Sequence, residues 1–236
     1  MTRRRWIADE YGSDRAALLG AHAAHLARVL RARVGQEFDI AAGDELRRAR
    51  VTLISDERVE FELGEELPRP TELDVTIVLS VFKFDRFEWA VEKLTELGAT
   101  RIVPLIAART DTHLAHAAAK RMDRWHRIAR EAAEQSRRVA PPEIPTPQKL
   151  REAIQSTGCR LRLAESEAEV PLGKALEGQD AREAFSLAVG PEGGWTAEEQ
   201  ALFTAAGWRA VSLGTTILRT ETAALAALAV IQSRFV

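Results

Sequence analysis

The sequence predicts an α/β chain: a parallel sheet over residues 71–236 behind a small β-rich unit over residues 1–67. Three observations carry that prediction. Short, near-continuous apolar runs (Asp74–Val81, Arg101–Ala107, Phe185–Val189) alternate with stretches of helical apolar spacing, the pattern of buried strands and amphipathic helices. Such β-α-β alternation implies parallel strands joined by right-handed crossovers. Leu67-Pro68-Arg69-Pro70-Thr71 breaks the strand pattern with two prolines and reads as a linker. Farther along, two Gly-bearing loops each follow a short apolar strand and each open into a helix. Small molecules bind at that strand-to-helix edge of open α/β sheets.

Composition narrows the function classes. At 236 residues the chain suits one large or two small domains. A net charge of −2 does not advertise nucleic acid, so any RNA site must be a local patch. Cys159 is alone, which excludes an internal disulfide and fits a reducing compartment. No run reaches the roughly 18 apolar residues of a membrane span. The start, Met1-Thr-Arg-Arg-Arg-Trp6, is basic but has no apolar core of a signal peptide. A cytoplasmic protein is expected.

In the β-rich unit, Leu19–Arg31 has helical spacing, and Glu37–Ala41, a turn at Ala42-Gly43-Asp44, and Leu46–Ile54 predict a hairpin. Val59–Leu63 adds a strand. His22 and His25 lack a third ligand, so no metal site is expected. Trp6 is placed in the core, with base stacking as the alternative. Arginines crowd the first part of this unit, Arg3, Arg4, Arg28 and Arg31 among them. On one face they would meet phosphates; solvated strands of mixed charge are as good an explanation from charge alone.

Past the linker, Phe84, Phe87, Val91 and Leu94 predict a helix that Gly98 ends. Lys83 and Arg86 stand just after the first strand and Arg109 just after the second, on one sheet edge. Lys83 and Arg86 are candidates for RNA phosphate. A helix over Ala117–Arg138 is rich in Arg, including Arg124, Arg127, Arg137 and Arg138, and is read as a further RNA surface. Ala140–Pro147 is a rigid Pro-rich connector. Lys149–Ser156 reads as a helix, Cys159–Ala164 as a strand with a buried thiol, and Leu172–Leu176 as a helical turn. Glu165 and Glu167 are placed at the fringe of the candidate pocket.

The first loop is Gly190-Pro191-Glu192-Gly193-Gly194-Trp195, and Thr196 with Glu199 forms a T-x-x-E capping box. In the second, Leu213-Gly214 closes a strand and Leu218-Arg219-Thr220-Glu221 enters a helix, with Thr220 as N-cap and Glu221 in the first turn. Acidic Glu192 disfavours a phosphate cradle, and neither a P-loop nor an early G-x-G signature is present.

These motifs, G-P-E-G-G-W-x-x-x-E and L-G-x-x-I-L-R-T-E-T-A, resemble the RsmE-type rRNA uridine-N3 methyltransferases of the SPOUT superfamily. F-x-W-A-V-E-K-L-T-E-L-G-A-T-R-I-V-P-L at 87–105 and A-x-E-Q-S-R-R at 132–138 are similar to the family's central region. One position departs: Thr216 stands where the family commonly has Arg.

The resemblance implies a SPOUT-type parallel sheet with a deep trefoil knot, plus an N-terminal PUA-like or OB-like β-barrel that helps hold RNA. It implies S-adenosylmethionine (SAM) bound by backbone and apolar groups, with Gly190, Glu192, Gly193, Leu213, Gly214, Ile217 and Leu218 as cofactor residues. Arg219 would stabilise the uracil anion, with Glu221 orienting it or acting as base. The implied substrate is small-subunit rRNA or the assembled small subunit, and the implied state a homodimer, with no metal and no membrane. The competing expectation is a catalytically silent rRNA-binding or assembly factor of the same fold.

Overall fold

The structure is a computed structural model and describes residues 5–69, 71–164 and 170–235. Arg3, Arg4, Pro70, Glu165 and Glu167 therefore lie outside the described residues. The chain forms two compact units. One takes the residues up to Thr71 together with Ala133–Pro141; the other takes Glu72–Ala132 and the residues from Pro142 on.

The first unit contains β1 (Arg5–Ile7), β2 (Glu10–Tyr11), β3 (Arg15–Leu19), α1 (Gly20–Ala24, extended by a π-helical turn over His25–Val29), β4 (Glu37–Ala42), β5 (Glu45–Ile54) and β6 (Arg58–Glu66). The sheet order is β1-β4-β5-β6-β3-β2. Only β1–β4 is parallel. Along β6, Val59, Phe61 and Leu63 point inward at every second position, the alternation of a sheet with one wet face. Register shifts between Arg47/Ala49 and Val51/Leu53 mark bulges, which bend the strands. The expected barrel is a half-barrel: β1 and β2 end the sheet order, and no ladder joins them among the described residues. Trp6 lies in the core with Leu26, Ile40 and Phe61.

Two histidines and the returning segment belong to this unit. His22 Nδ1 sits 3.3 Å from Asp9 Oδ2 and Nε2 3.8 Å from Glu134 Oε2. No metal-holding group of His, Cys, Asp and Glu occurs among the described residues. Val139 packs with Ala41 and Leu46.

The second unit is built on β7 (Val75–Ser80), α2 (Phe84–Glu96), β8 (Arg101–Ile106), α3 (Thr112–Ala118) and α4 (Met122–Gln135). It continues through β9 (Gln148–Lys149), α5 (Leu150–Ala153), β10 (Cys159–Leu163), β11 (Val170–Pro171) and α6 (Leu172–Ala175). It closes with β12 (Phe185–Val189), α7 (Ala197–Ala205), β13 (Arg209–Ser212) and α8 (Thr220–Phe235). Seven parallel strands run in the order β11-β13-β10-β12-β7-β8-β9. Helices cover both faces. Ile77, Leu79, Leu161 and Leu187 meet α2, α8 and Trp125 of α4 on one face. Val78, Val103 and Ala188 meet α5 and α7 on the other, around Phe203 and Trp208. Burial on both faces is why these strands read as continuous apolar runs.

Three sequence expectations change here. The helix expected over Ala117–Arg138 begins earlier: Asp111 caps α3 by accepting from His113 N at 2.8 Å, as an N-cap carboxylate does. A 3-10 turn over Ala119–Arg121 then separates α3 from α4, and Arg137 at φ +60° follows its end. The helix expected over Lys149–Ser156 is one turn, α5. The two-residue strands β9 and β11 carry no periodic signal and were not foreseen.

Candidate functional site

The strand order reverses between β12 and β7: from β7 the chain passes to β8 on one side, from β12 to β13 on the other. Beside that switch, at the carboxyl ends of β10, β12 and β13, lies a cavity of about 580 Å³. Ligand crevices form at such a reversal, and this volume suits a cofactor-sized molecule.

The loop after β12 supplies one wall. The capping box forms as expected: Thr196 Oγ1 accepts from Glu199 N at 3.2 Å, and Glu199 Oε2 accepts from Thr196 N at 2.9 Å. The other Glu199 oxygen accepts from Ala108 N at 2.8 Å, which ties the loop to the end of β8. Arg109 donates to Gly193 O, and buried Trp195 donates from Nε1 to Leu163 O at 3.1 Å. A Cβ on residue 190 would stand 3.0 Å from the Trp195 indole. A side chain at this position would therefore require the buried indole to give by a few tenths of an ångström.

The loop after β13 supplies the other wall. Gly214 turns the chain at φ +119°, where a side chain would be strained. Ile217 is 82% exposed, although apolar, and lines the cavity. α8 starts at Thr220 itself, so Thr220 is not the N-cap. Its hydroxyl instead donates to Gly190 O at 3.3 Å, a direct link between the two loops.

All seven expected cofactor residues, Gly190, Glu192, Gly193, Leu213, Gly214, Ile217 and Leu218, line this cavity. Arg219 also lines it and is exposed. Glu221 does not: it is 7% exposed, and its ion pair is with Arg86 at 3.8 Å, not with Arg219. Arg86 lines the cavity and also meets Glu192 at 3.4 Å.

The other expected RNA residues divide between the two units and differ in their surroundings. Lys83, Arg31 and Arg137 are exposed. Arg28 is held by Asp56 at 2.6 Å, and Arg127 lies 3.9 Å from Glu131. Arg124 is not a free cation on a helix face, because it bonds buried Glu88 of α2 at 2.7 Å, where Arg121 also reaches at 3.3 Å. Arg138 is buried, contrary to its expected role on an RNA surface. Sequence reasoning missed Arg162, Leu163 and Ala164, which line the cavity from the end of β10. The signal was there: β10 was an expected strand, and its carboxyl end had to lie on the same edge.

Comparison with known proteins gives the same picture. Residues 69–232 match the model of an RNA methyltransferase domain. The ribosomal RNA small subunit methyltransferase E of Synechocystis is 34% identical over 89% of this chain and 70% of its own length. The Bacillus subtilis protein of that name is 31% identical over 91% of this chain and 88% of its own. The crystal structure of ribosomal RNA small subunit methyltransferase E from Neisseria gonorrhoeae, bound to S-adenosyl methionine, superposes with a TM-score of 0.86. It is 33% identical and covers 99% of this chain and 98% of that one. With the family model spanning residues 69–232 and relatives above 30% identity matching most of this chain, the chain belongs to the RNA methyltransferase family whose members include ribosomal RNA small subunit methyltransferase E.

Proposed function

We propose that the protein transfers a methyl group from SAM to N3 of a uridine in small-subunit rRNA. The observation that carries this reading is the cavity whose walls are the two glycine-bearing loops. Its fit to SAM rests on shape and chemistry. Gly190 and Gly193 line the cavity without side chains, so their main-chain atoms can approach a ligand closely. Leu213, Ile217 and Leu218 offer apolar surface for an adenine, and loop amides and carbonyls can meet its polar edge.

When bound, SAM supplies an electrophilic methyl on a good leaving group. The chain's own task is placement of the acceptor. Uridine N3 carries a proton, so its loss must be assisted. Arg219, exposed at the cavity, is placed to donate to the uracil oxygen on which charge grows. Glu221 lies behind the wall, paired with Arg86 rather than with Arg219. Because N3 is a pairing atom, the target base must be unpaired or flipped.

In this reading the first unit, residues 1–67 in the sequence division, serves as the RNA-binding domain, and exposed Arg31 with Arg28 belongs to its RNA face. Residues 71–236 form the catalytic domain, with α8 passing through the preceding loop as a trefoil knot. Thr220 Oγ1 donates to Gly190 O, so the start of α8 lies against the first loop, as that threading requires. The reading includes a homodimer, in which half-exposed Trp89 on α2 is one apolar side chain a second copy could cover, and a cytoplasmic location. No helix among the described residues is long and apolar enough to cross a membrane.

Incubating the protein with tritiated SAM and small subunits that lack the mark tests the proposal. Label at N3 of one uridine is expected; no transfer would sink it. Thr216 in the cavity wall, where the family commonly has Arg, favours one other reading, a catalytically silent assembly factor. That reading predicts rRNA binding indifferent to SAM.

A further inference from the structure

Arg86 stands where β7 gives way to α2, at the cavity edge. From sequence it was an RNA candidate, but its surroundings point elsewhere. Its Nη1 lies 3.4 Å from Glu192 Oε1 in the first loop and 3.8 Å from Glu221 Oε1 in the first turn of α8. The two carboxylates differ. Glu192 is exposed, so water screens its pairing, which contributes little by itself. Glu221 is buried, and its Oε2 has no hydrogen-bond donor among the described residues. Among the described residues, Arg86 is the basic group that pairs with it. A desolvated carboxylate with an unmet acceptor is costly. Here the helix N-terminus and Arg86 offset that cost.

We infer that Arg86 is a positioning residue for the methyl-donor cavity. Through Glu221 and Glu192 it ties the start of α8 to the first loop and so sets the distance between the two cavity walls. Its charge faces these carboxylates rather than an RNA phosphate. The inference rests on reading the cavity as the SAM site.

The test compares wild type, Arg86→Gln, Glu221→Gln and the double variant. Affinity for S-adenosylhomocysteine is measured by calorimetry, and affinity for transcribed small-subunit rRNA across a salt series. Arg86→Gln is expected to weaken S-adenosylhomocysteine about tenfold, with rRNA affinity and its salt slope unchanged. Glu221→Gln alone should weaken S-adenosylhomocysteine comparably, and the double variant should bind no more weakly than Arg86→Gln, because the tie is already broken. A merely structural role would lower both affinities together and let the two losses add.

Unchanged S-adenosylhomocysteine binding in Arg86→Gln would overturn the inference. So would a loss confined to rRNA with the salt slope reduced by about one, the mark of a phosphate contact. Should the Gln variant fail to fold, Arg86→Lys carries the same test, with an intermediate cofactor affinity expected and unchanged rRNA binding required. Wild type that fails to bind S-adenosylhomocysteine sinks the cofactor reading itself. Wild-type binding with an indifferent Arg86→Gln sinks only the role given to Arg86.

Discussion

The first loop of the cavity, Gly190–Thr196, is held from several directions, whereas the second, Leu213–Arg219, is held near its ends. Trp195 is buried and bonded to Leu163, Gly193 accepts from Arg109, and the capping box reaches on to Ala108. Across the cavity, residues 214–217 are exposed. The fastening there comes at the helix start, where Ala223 N bonds Arg219 O at 2.8 Å and Thr220 reaches Gly190. One wall is thus pre-formed and the other can adjust. A site of this kind gains rigidity where the ligand must be aligned and keeps freedom where it must enter.

The contrast predicts that damage to the second loop shows in rate or cofactor binding with stability kept, and damage to the first shows in folding as well. The largest effect is expected from Arg219→Ala. Loss of one oxyanion-type donor should lower kcat about 100-fold or more, with the melting temperature unmoved. A matching fall in melting temperature would blur the distinction between the walls.

Gly190→Val comes next. The added side chain meets the Trp195 indole, and overpacking of this kind costs about 1–3 kcal/mol. Urea unfolding should show that loss, and S-adenosylhomocysteine should no longer raise the melting temperature. A stable variant that still binds would show that the first wall is softer than described.

Thr196→Ala removes the cap of α7 and should cost about 1 kcal/mol in the same unfolding assay, with kcat retained. Ile217→Ala is expected to change stability by less than about 0.5 kcal/mol, as exposed positions do. Its cofactor affinity should nevertheless fall several-fold, if the apolar side chain closes over the ligand. Equal affinity in calorimetry would remove Ile217 from the site.

The smallest signal concerns Cys159, whose thiol is pushed above its ordinary value, chiefly by burial. Less thiolate is then present at neutral pH, so alkylation by iodoacetamide should be at least about tenfold slower than in unfolded protein. Labelling at the unfolded rate would mean that β10, which carries part of the cavity, opens readily.

Much of the second unit was legible in the sequence, because its determinants are local. β7, β8 and β12 announce themselves as apolar runs buried on both faces, and α7 by a capping box four residues long. Gly98 marks the end of α2 at φ +93°. Both loops could be assigned to one edge from strand polarity alone. What escaped depends on partners distant in sequence. Arg86 and Glu221 are 135 positions apart, and no local pattern announces that one holds the other. Arg124 resembles a solvated helix cation until Glu88 on α2 is seen beneath it. The early start of α3 was readable from Asp111, a good N-cap residue ahead of the apolar positions. β9 and β11 are too short to show a period at all.

The segment Ala133–Pro141 belongs with the residues before Thr71 rather than with those around it in the chain. Val139 completes an apolar seam with Ala41 and Leu46. A graft that exchanged only the amino-terminal 71 residues between relatives would pair a new Ala41–Leu46 surface with an old Val139. Recombination at the proline linker is thus disfavoured, and substitutions on either side of this seam are expected to be inherited together.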